Sequence, residues 1–533
     1  MEMRELKYPI GIQTFETIRN DGYVYVDKTA YIFDIISKGQ YYFLSRPRRF
    51  GKSLLLSTIE AVFKGKRELF KGLAIDTSDW KWEKHEVLHF DLNPRNYKEP
   101  DSLRTILDVH LRNWETQYGI SPDSDILVDR FAAIIRKAYQ ISGKKVVILV
   151  DEYDKPIVGT ITDRKLQDEH RNLLQSFYGM LKSLDPFIKF GMLTGISKFS
   201  KVSIFSGLNN LEDISLQPQY NAICGITEKE LSAYFRQSME EMARSENVGV
   251  DEIHNQLKAN YDGYHFAYTD EDVYNPFSLL NTFKSKMLGS YWLATGTTSS
   301  LLDVLNVNSY KIQDLEGCRA TATMLNGADI FLTDPIPFFF QTGYLTIKGY
   351  DREFKEYILG FPNREVAEGF NDLVLKTWMR RSEPTAIVSE FVRDVRSGKA
   401  DEFMNKLQTF FAGIPYDHAT TGSRPADEQY GIRGDKEIHY QNVMFVIMSL
   451  MGFYTHTEYR TSNGRIDMLV ETAEYIYVME FKIDSSAEAA MRQINEKGYA
   501  TPFGNAHKNI IKIGANFDTQ TRRLDDWIIE RDC

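Results

Sequence analysis

Two short motifs early in the chain contain residue types that could bind a Mg²⁺-bound nucleoside triphosphate. In the first, SRPRRFGKS, the residues Gly51, Lys52 and Ser53 follow the apolar sequence YYFLS and begin a helical pattern. Backbone amides at a helix start face an anion, a lysine amine can reach the β- and γ-phosphates, and a serine hydroxyl can ligate Mg²⁺. Gly51 lets the backbone approach the ligand closely. The spacing predicts a phosphate-binding loop in which Ser53 is a metal ligand.

The rest of this loop departs from the usual phosphate-loop pattern. Arg46 stands five residues before Gly51, where that pattern has a glycine, and Arg48 and Arg49 make the loop cationic. A GKS tripeptide alone is common in purely structural segments, but its position after a buried strand favours nucleotide binding. Together with residues of the motifs below, the predicted nucleotide contacts are Arg46, Arg48, Arg49, Phe50, Gly51, Lys52, Ser53, Asp151 and Thr194.

The second motif, VVILVDEYDKP, is a buried strand with Asp151 and Glu152 at its carboxyl end. Ligands sit at this end of the strands in open α/β sheets. Asp151 could hold the water shell of Mg²⁺, and Glu152 could orient or deprotonate the water that attacks the γ-phosphate. The alternative is an acidic strand end that faces solvent.

A further strand end, LTGISKFS, places Thr194 and Ser197 where a polar group could sense the γ-phosphate. Serine and threonine after a strand are more often turn formers. Both interpretations of Thr194 and Ser197 stay open at the level of the sequence.

The last hundred or so residues hold a separate group of polar side chains. The sequence GRIDMLVETAEYIYVMEFKID predicts two strands, Arg465 to Val470 and Tyr475 to Ile483, around a short turn. Because side chains alternate faces along a strand, Glu480 and Lys482 share one face. Asp467 lies beside Glu480 if the register of the hairpin puts both on that face. Such a group is typical of a metallonuclease.

In that interpretation Asp467 and Glu480 ligate Mg²⁺, and Lys482 positions water or steadies charge. The Phe481 carbonyl could add a ligand, as could Glu437 on the helical stretch KEIHYQNVMFVIMSLMGF. The alternative is a surface hairpin with a salt bridge between Glu480 and its neighbours.

The helical sequence AAMRQINEKGYA follows this hairpin. It offers three further polar side chains towards a substrate backbone, namely Gln493, Lys497 and Tyr499.

The elements that would position these residues are visible as hydrophobic patterns. From Tyr8 to about Leu211, short apolar strands alternate with helical stretches, which predicts a parallel three-layer α/β domain. The predicted strands are Tyr41 to Ser45, Val87 to Leu92, Val146 to Glu152 and Ile188 to Gly195. From Thr227 to about Met287 the pattern is helical and opens on a capping-box sequence, which we interpret as a helical lid.

The second half of the chain is less regular. A stretch from Ser290 to about Glu365 mixes helical and strand patterns, and Glu365 to about Ala412 is helical. The polar segment from His418 to Asp435 predicts a loop before a new domain, with the boundary near Tyr430. The predicted domains are a nucleotide-binding domain (1–215), a helical lid and mixed connector (216–365), a helical linker region (366–429) and a C-terminal α/β domain (430–533).

Composition sets the outer limits. A chain of 533 residues, 43% hydrophobic and 26% charged, predicts a soluble protein of two to four domains. Its net charge of -10 neither supports nor excludes nucleic-acid binding, because a local basic groove would not show in the total. Three widely spaced cysteines indicate neither a disulfide framework nor a structural zinc site. With no export signal or membrane span in the sequence, we expect a cytoplasmic protein.

Several segments in the same order resemble the bacterial AAA-ATPase-like family, and they cover about the first half of the chain. These segments are YPIGIQTFETIRNDGYVYVDKT, SRPRRFGKS, ILVDEYDKP, LTGISKFSKVSIFSGLNN and YDGYHF followed by YNPFSLL. In that family an arginine-rich loop replaces the usual glycine, so Arg46 fits the family pattern. The positions that match the family's nucleotide site are Lys52, Ser53, Asp151 and Glu152.

From about Tyr430 to its end the chain resembles the PD-(D/E)XK nuclease superfamily, in particular the nuclease-like domain often found behind this ATPase-like domain in bacterial proteins. The hairpin, the GRID sequence and the preceding helix carry the resemblance, because an ExK sequence alone is common by chance. Some relatives have a glutamine followed by a tyrosine at closer spacing, so Tyr499 departs from that pattern. The fold class implied is α/β: a P-loop parallel-sheet domain, a helical lid and connector, and a restriction-endonuclease-like domain.

The resemblances imply ATP and Mg²⁺ as cofactors and a nucleic-acid partner at the C-terminal domain, with DNA favoured over RNA. We expect an ATP hydrolase coupled to a Mg²⁺-dependent nuclease, with Glu152, Asp467, Glu480 and Lys482 as the catalytic residues. One alternative is a nucleotide-dependent regulatory or scaffold protein whose nuclease-like domain binds without cleaving. Another is a domain that recognises nucleic-acid ends without cutting. A homo-oligomer is an open alternative to a monomer.

Overall fold

The computed structural model of the protein describes residues 6–160, 163–198, 210–269, 271–293, 312–326, 334–379, 384–412, 436–452, 456–457, 460–461, 464–465, 467–504, 507–518, 521 and 523–532. The chain forms two compact units, Met1–Gly296 with Glu316–Glu365, and Thr297–Leu315 with Val366–Cys533. The four-part division made from the sequence stays a prediction. Its loop from His418 to Asp435 and its boundary near Tyr430 lie outside the described residues.

A five-stranded sheet forms the centre of the first unit. Its strands are β1 (Tyr41–Ser45), β2 (Val87–Asp91), β3 (Val146–Asp151), β4 (Ile188–Gly195) and β5 (Glu212–Asp213). They lie in the order β2-β3-β4-β1-β5, and all pairings are parallel. Every residue of β1 and β3 is buried, as expected for strands covered on both faces. The four strands predicted from the sequence are confirmed.

Helices connect these strands, because parallel strands require crossovers that return the chain to the same edge of the sheet. The helices of this region are α1 (Phe15–Asn20), α2 (Thr29–Lys38), α3 (Lys52–Phe63), α4 (Ser102–Tyr118), α5 (Leu127–Ser142), α6 (Lys155–Val158) and α7 (Arg164–Ser183). The crossovers bring the carboxyl ends of β1, β3 and β4 to one edge. The polar residues predicted to bind nucleotide lie at these strand ends or directly after them.

A helical group follows, with the short pair β6 (Ile226–Thr227) and β7 (Val273–Tyr274) beside it. Its helices are α8 (Glu228–Glu246), α9 (Val250–Tyr261) and α10 (Pro276–Ser285). The predicted capping box is confirmed: Thr227 accepts from the Glu230 amide, and the Glu230 side chain accepts from the Thr227 amide. Glu230 also pairs with Lys28, whose Nζ lies 2.7 Å from its carboxylate. This pair ties α8 to the N-terminal segment.

The remainder of the first unit contains a small antiparallel sheet. Its strands are β8 (Arg319–Thr321), β9 (Thr346–Asp351) and β10 (Glu356–Gly360), in the order β8-β10-β9. Two short helices accompany it, α11 (Ala322–Asn326) and α12 (Ile336–Thr342). In the sequence IPFFFQTGYLTI, residues 336–347, the three phenylalanines thus lie in α12 and the tyrosine lies in the residues that lead into β9.

A buried acid, Glu365, ends the first unit. It lies in the first turn of α13 (Arg364–Met379) and is 2% exposed. Burial raises the pKa of its carboxyl to about 7, although hydrogen bonds from Trp292 and Ser278 act in the opposite direction. The side chain therefore changes charge near neutral pH.

The second unit combines helices with a mixed sheet. Its helices beyond α13 are α14 (Pro384–Arg396), α15 (Ala400–Ala412), α16 (Lys436–Gly452) and α17 (Ala487–Glu496). Its strands are β11 (His456–Thr457), β12 (Arg460–Thr461), β13 (Gly464–Arg465), β14 (Met468–Glu471), β15 (Tyr475–Ile483), β16 (Asn509–Asp518) and β17 (Arg523–Asp532).

The main sheet of this unit has the order β11-β14-β15-β16-β17, and β12 pairs with β13 separately. β14 and β15 are antiparallel, whereas β15 and β16 are parallel and joined through α17. The predicted strand from Arg465 to Val470 corresponds to β13 and β14. One face of β15 packs on α17 through a buried cluster, Leu469, Ile476, Val478, Met491, Ile494 and Tyr499.

Among the described helices, none combines the length and the apolar character that crossing a bilayer requires.

We expect Gly263→Ala to destabilise the first unit more than Gly72→Ala. Both glycines have positive φ values, 88° and 81°, so each alanine costs about 1–2 kcal/mol of left-handed backbone strain. Only the Cβ at 263 would lie 2.2 Å from the Pro362 carbonyl oxygen, whereas nothing lies within 4 Å of a Cβ at 72. Calorimetry should show a further loss of about 2 kcal/mol for Gly263→Ala. Equal losses would contradict the close approach.

Glu365 should make the stability of the first unit depend on pH. Its pKa is raised on folding from 4.5 to about 7, so its contribution to stability is complete below pH 4.5 and is lost as the pH rises through 7. Glutamine does not titrate. Glu365→Gln should therefore gain on the order of 3 kcal/mol relative to the wild type between pH 4.5 and pH 8. Thermal unfolding at both pH values measures the difference, and a difference independent of pH would refute the shift.

Candidate functional site

The predicted phosphate loop lies between β1 and α3. Gly51 precedes the helix with a φ of 92°, a conformation that glycine adopts without strain. Lys52 is 5% exposed, and its Nζ donates hydrogen bonds to the carbonyl oxygens of Arg46 and Pro47, both at 3.0 Å. Burial lowers the pKa of Lys52, while the nearby carboxylates of Glu152 and Asp151 act in the opposite direction. The amine is thus positioned within the loop and faces an acidic strand end.

Asp151 is the last residue of β3 and is buried, with 6% exposure. Its Oδ1 accepts a hydrogen bond of 2.7 Å from the hydroxyl of Thr194 on the adjacent strand β4. Thr194 is fully buried. The structure therefore brings Thr194 to Asp151, and the hydrogen bond to Oδ1 fixes the orientation of the carboxylate.

Glu152 follows β3 in a left-handed conformation, with a φ of 54°. A non-glycine residue pays a cost for this conformation, and such residues cluster at functional sites. Lys155 Nζ lies 3.3 Å from Glu152 Oε2, but the geometry does not make a hydrogen bond, and this buried oxygen has no hydrogen-bond partner among the described residues. The turn thus places a second carboxylate directly after Asp151.

A cavity of about 270 Å³ opens beside the loop. Ser53 and Asp151 both line it, so the hydroxyl and the carboxylate predicted to bind Mg²⁺ face a common space. Asp91, the last residue of β2, also lines the cavity and is the register partner of Asp151. These three side chains offer oxygen donors, which suit Mg²⁺, and the cationic side chains of Lys64 and Lys66 line the same cavity.

Arg46 does not face this cavity. It is 1% exposed, and its guanidinium donates to the carbonyl oxygens of Ser45, Ser215 and Tyr220 at 2.8–2.9 Å. It also lies over the ring of Phe266, 4.3 Å from the centroid. Burial lowers the pKa of Arg46 to about 10. These contacts support a structural role in holding the loop.

Phe50 holds the other end of the loop. Its ring is 1% exposed and packs edge-on against Tyr264 and Phe266, with centroid distances of 4.8 and 5.2 Å. Both partners belong to the YDGYHF segment. That segment therefore supports the phosphate loop, a role that its sequence alone did not indicate.

The remaining arginines of the loop are more accessible. Arg49 is exposed and has a φ of 67°, with its guanidinium 4.7 Å from the ring centroid of Phe277. Arg48 is half-buried, and its carbonyl oxygen accepts from the indole of Trp292. Predicted nucleotide contacts from these two side chains stay predictions.

Asp154 was missed by the sequence reasoning. It is 1% exposed, and its Oδ2 accepts from both the amide and the hydroxyl of Ser197, at 2.7 and 2.6 Å. Its Oδ1 accepts from the amide of Ile196 at 3.2 Å. The carboxylate thus fixes the chain after β4. The second aspartate of the DEYD sequence was the only available signal.

In the second unit the hairpin register brings the predicted acids together. Met468 pairs with Met479 across β14 and β15, which continues to Asp467 opposite Glu480. The Oδ2 of Asp467 accepts from the Phe481 amide at 2.9 Å. Burial raises the pKa of Glu480 to about 6, and the adjacent charge of Asp467 adds to this effect. The predicted placement of Asp467 beside Glu480 is confirmed.

Glu480 is 2% exposed, and its Oε2 has no hydrogen-bond partner among the described residues. Its Oε1 accepts from Lys482 Nζ at 3.0 Å and from Gln493 Nε2. Lys482 Nζ also donates to Gln493 Oε1 at 2.6 Å. The Gln493 amide lies 3.4 Å from the Tyr499 hydroxyl. The predicted residues on β15 and α17 therefore form one hydrogen-bonded cluster.

Asp467, by contrast, is exposed. Two carboxylates, one buried with a free oxygen and one at the surface, fit a divalent cation by the chemistry of their donors. In the described part of the chain, no set of three or more His, Cys, Asp or Glu side chains is grouped for metal binding. Glu437, the predicted third carboxylate, lies on α16 with its side chain outside the described residues. Lys497 caps α17 at its C-terminal end.

The chain is similar to known protein families over both units. A family model described as "Predicted AAA-ATPase" matches residues 9–205, and one described as "PD-(D/E)XK nuclease superfamily" matches residues 435–527. An "Uncharacterized protein in vnfD 5'region" of Azotobacter chroococcum mcd 1 is 36% identical over 538 residues, which cover 99% of each chain.

Among solved structures, the Aeropyrum pernix ORC2 protein, in ADPNP-ADP complexes, is 12% identical, with a TM-score of 0.23. That match covers 70% of this chain and 96% of that one. A likeness at this level carries no argument about the fold.

We expect Arg46→Ala to destabilise the first unit by about 3 kcal/mol or more, because it removes a buried side chain that donates to three carbonyl oxygens, of which that of Tyr220 also accepts from the Ile223 amide. The matched variant Arg49→Ala alters an exposed arginine of the same loop and should change stability by less than about 1 kcal/mol. Chemical denaturation of both proteins measures the contrast. Similar small losses in both would refute the structural role of Arg46.

Proposed function

Since the chain belongs to the predicted AAA-ATPase family and carries a PD-(D/E)XK nuclease-superfamily domain, we propose that it hydrolyses ATP in its first unit and cleaves nucleic acid in its second. Mg²⁺ would serve both reactions. DNA is the favoured substrate. We place the protein in the bacterial cytoplasm, as a monomer or a homo-oligomer.

The nucleotide proposal is supported by the arrangement at the strand ends. Lys52, already buried within the loop, would contact the β- and γ-phosphates, and Ser53 with Asp151 would hold the metal ion. Thr194 would orient Asp151 through the hydrogen bond it donates. Glu152, whose Oε2 has no hydrogen-bond partner in the described part of the chain, would position the attacking water or accept its proton.

The nuclease proposal depends on one observation above all: beside Asp467, Glu480 keeps a buried oxygen that no described residue hydrogen-bonds. Leaving a carboxylate oxygen unsatisfied in a buried position costs free energy, and a cation between Glu480 and Asp467 would remove that cost. A bound Mg²⁺ would supply a Lewis acid for the phosphodiester and lower the pKa of a bound water. Glu437 is a further candidate ligand.

The protein's own residues would complete this site. Lys482, held by Glu480 and Gln493, would position the attacking water or stabilise charge on the phosphate. Gln493 fixes both partners, because its amide nitrogen donates to Glu480 and its oxygen accepts from Lys482. Tyr499 lies next to this amide at the end of α17. Gln493 thus has a positioning role in the proposed site, and Lys497 is a candidate contact for the substrate backbone.

A regulatory or scaffold protein whose nuclease-like domain only binds is the second candidate. The observation that favours it is the engagement of Lys482, whose amine already has two protein acceptors. Metal binding separates the two candidates, because a scaffold protein should keep its partner binding when Asp467 is replaced. The nuclease proposal requires that Asp467→Ala weaken Mn²⁺ binding, measured by calorimetry, and abolish cleavage.

We expect Lys482→Ala to lower the cleavage rate by about 10²–10⁴-fold, the range for loss of a group that assists proton transfer or charge stabilisation. Single-stranded and duplex DNA and RNA, with Mg²⁺ or Mn²⁺ and with and without ATP, are the substrates. The matched control is Lys508→Ala, since Lys508 pairs with Glu471 at 2.6 Å, away from the acidic cluster. ATP binding, measured in parallel, should be lost in Lys52→Ala and kept in Lys482→Ala.

Cleavage retained in Lys482→Ala, or lost equally in Lys508→Ala, would refute the assigned role of Lys482. If the wild type cut no substrate under any condition while ATP still bound, the nuclease proposal would fail and the scaffold candidate would stand. Failure of the wild type to bind ATP would refute the proposal for the first unit.

A further inference from the structure

A tryptophan from outside the phosphate loop holds one of its carbonyl groups. Trp292 Nε1 donates to the Arg48 carbonyl oxygen at 3.1 Å. The indole is 5% exposed and packs edge-on against Tyr344, with centroids 5.2 Å apart. Arg48 lies between the residues that Lys52 contacts and the helix start that Gly51 precedes. Movement of the loop at this position must therefore move or break a contact with a packed aromatic side chain.

Glu365 holds the same tryptophan through its backbone. Its Oε1 accepts from the Trp292 amide at 2.8 Å and from the Ser278 hydroxyl at 3.0 Å. Its Oε2 is buried, with no hydrogen-bond partner among the described residues. Because a buried carboxylate depends on its few donors, the position of Glu365 is coupled to the position of Trp292.

Glu365 is also the second residue of α13, which continues to Met379. The residues of this helix from Val366 onward belong to the second compact unit. Consecutive turns of an α-helix are joined by hydrogen bonds between residues four apart. A displacement of Glu365 would therefore act on the first turn of this helix.

Nucleotide binding would change the bonding of the loop next to Arg48. The Lys52 amine now donates to the carbonyl oxygens of Arg46 and Pro47. Hydrogen bonds from a lysine to phosphate oxygens join two charged groups and are stronger than those to neutral carbonyls. A nucleotide would therefore draw the amine away from the two residues that precede Arg48.

We propose that Trp292 and Glu365 transmit nucleotide occupancy of the phosphate loop to helix α13, the start of the second unit. The proposal rests on the function proposed above, because it requires a nucleotide at Lys52. Trp292 and Glu365 are positioning residues that contact the loop backbone and the helix start. The link is a chain of hydrogen bonds from the Arg48 carbonyl through Trp292 to Glu365.

Hydrogen–deuterium exchange of the full-length protein tests the link, with the non-hydrolysable ATP analogue AMPPNP and Mg²⁺ as the probe. We expect the analogue to slow exchange in residues 366–379 by about fivefold, the lower end of usual coupling between sites. Trp292→Phe keeps an aromatic ring but removes the indole donor. It should bind AMPPNP and lose the exchange response in this helix.

Two matched variants separate the link from general packing. Ser278→Ala removes the other donor to Glu365 and should keep the response, and Glu365→Gln keeps an acceptor oxygen and should keep it too. If Trp292→Phe does not fold, Glu365→Leu removes the acceptor and serves in its place. Calorimetric binding of AMPPNP is measured for every protein.

A wild type that binds AMPPNP without slower exchange in residues 366–379 would overturn the link and leave the nucleotide proposal intact. The link is equally overturned if Trp292→Phe responds as the wild type does, or if Ser278→Ala loses the response to the same extent. A wild type that binds no AMPPNP overturns both proposals, and that outcome is distinguished by the calorimetric measurement.

Discussion

The first unit depends on hydrogen bonds to a run of backbone carbonyls, located where the chain leaves the buried strand β1 and enters the phosphate loop. Buried backbone groups without hydrogen-bond partners cost free energy, and a loop cannot supply these partners through regular secondary structure. Four consecutive carbonyls, from Ser45 to Arg48, instead accept from side chains. The donors are Arg46 for the first, Lys52 for the next two and Trp292 for the last.

This constraint explains why the loop is rich in arginine and why distant segments converge on it. Arg46 reaches carbonyls of residues 215 and 220 as well as its own neighbour, so one guanidinium closes the loop against the chain after β5. Phe50 and Arg46 both pack on Phe266. The YDGYHF segment and the arginine-rich loop are thus parts of one packed structure, although about 220 residues separate them.

The features that could be predicted from the sequence are those that depend on hydrophobic periodicity or on residues close together in the chain. Continuous apolar runs located β1 to β4 to within a residue at their ends, and strand alternation placed Glu480 beside Lys482. Thr227 and Glu230 were recognisable as a capping box because their contact is local. These features depend on neighbours in the chain or on a repeat of two or four residues.

What the sequence could not show are contacts made once, over long separations. Nothing about Arg46 distinguishes a guanidinium that binds phosphate from one that binds carbonyls, since both need the same donors. Asp154 and Trp292 leave no periodic signal, because each meets its partner through the tertiary fold. The predicted role of Thr194 at the γ-phosphate likewise could not include its bond to Asp151, which requires the pairing of β3 with β4.

The carboxylates of the two sites also have different electrostatic surroundings. Asp151 has a hydroxyl donor and a nearby lysine, so its charge is supported by the protein before any ligand arrives. Glu480 and Asp467 lie side by side: burial raises the pKa of Glu480 and the adjacent charge of Asp467 adds to this effect, whereas Lys482 acts in the opposite direction. In the function proposed above, the first site would bind a phosphate group through Lys52, and the second would bind a metal ion between Glu480 and Asp467.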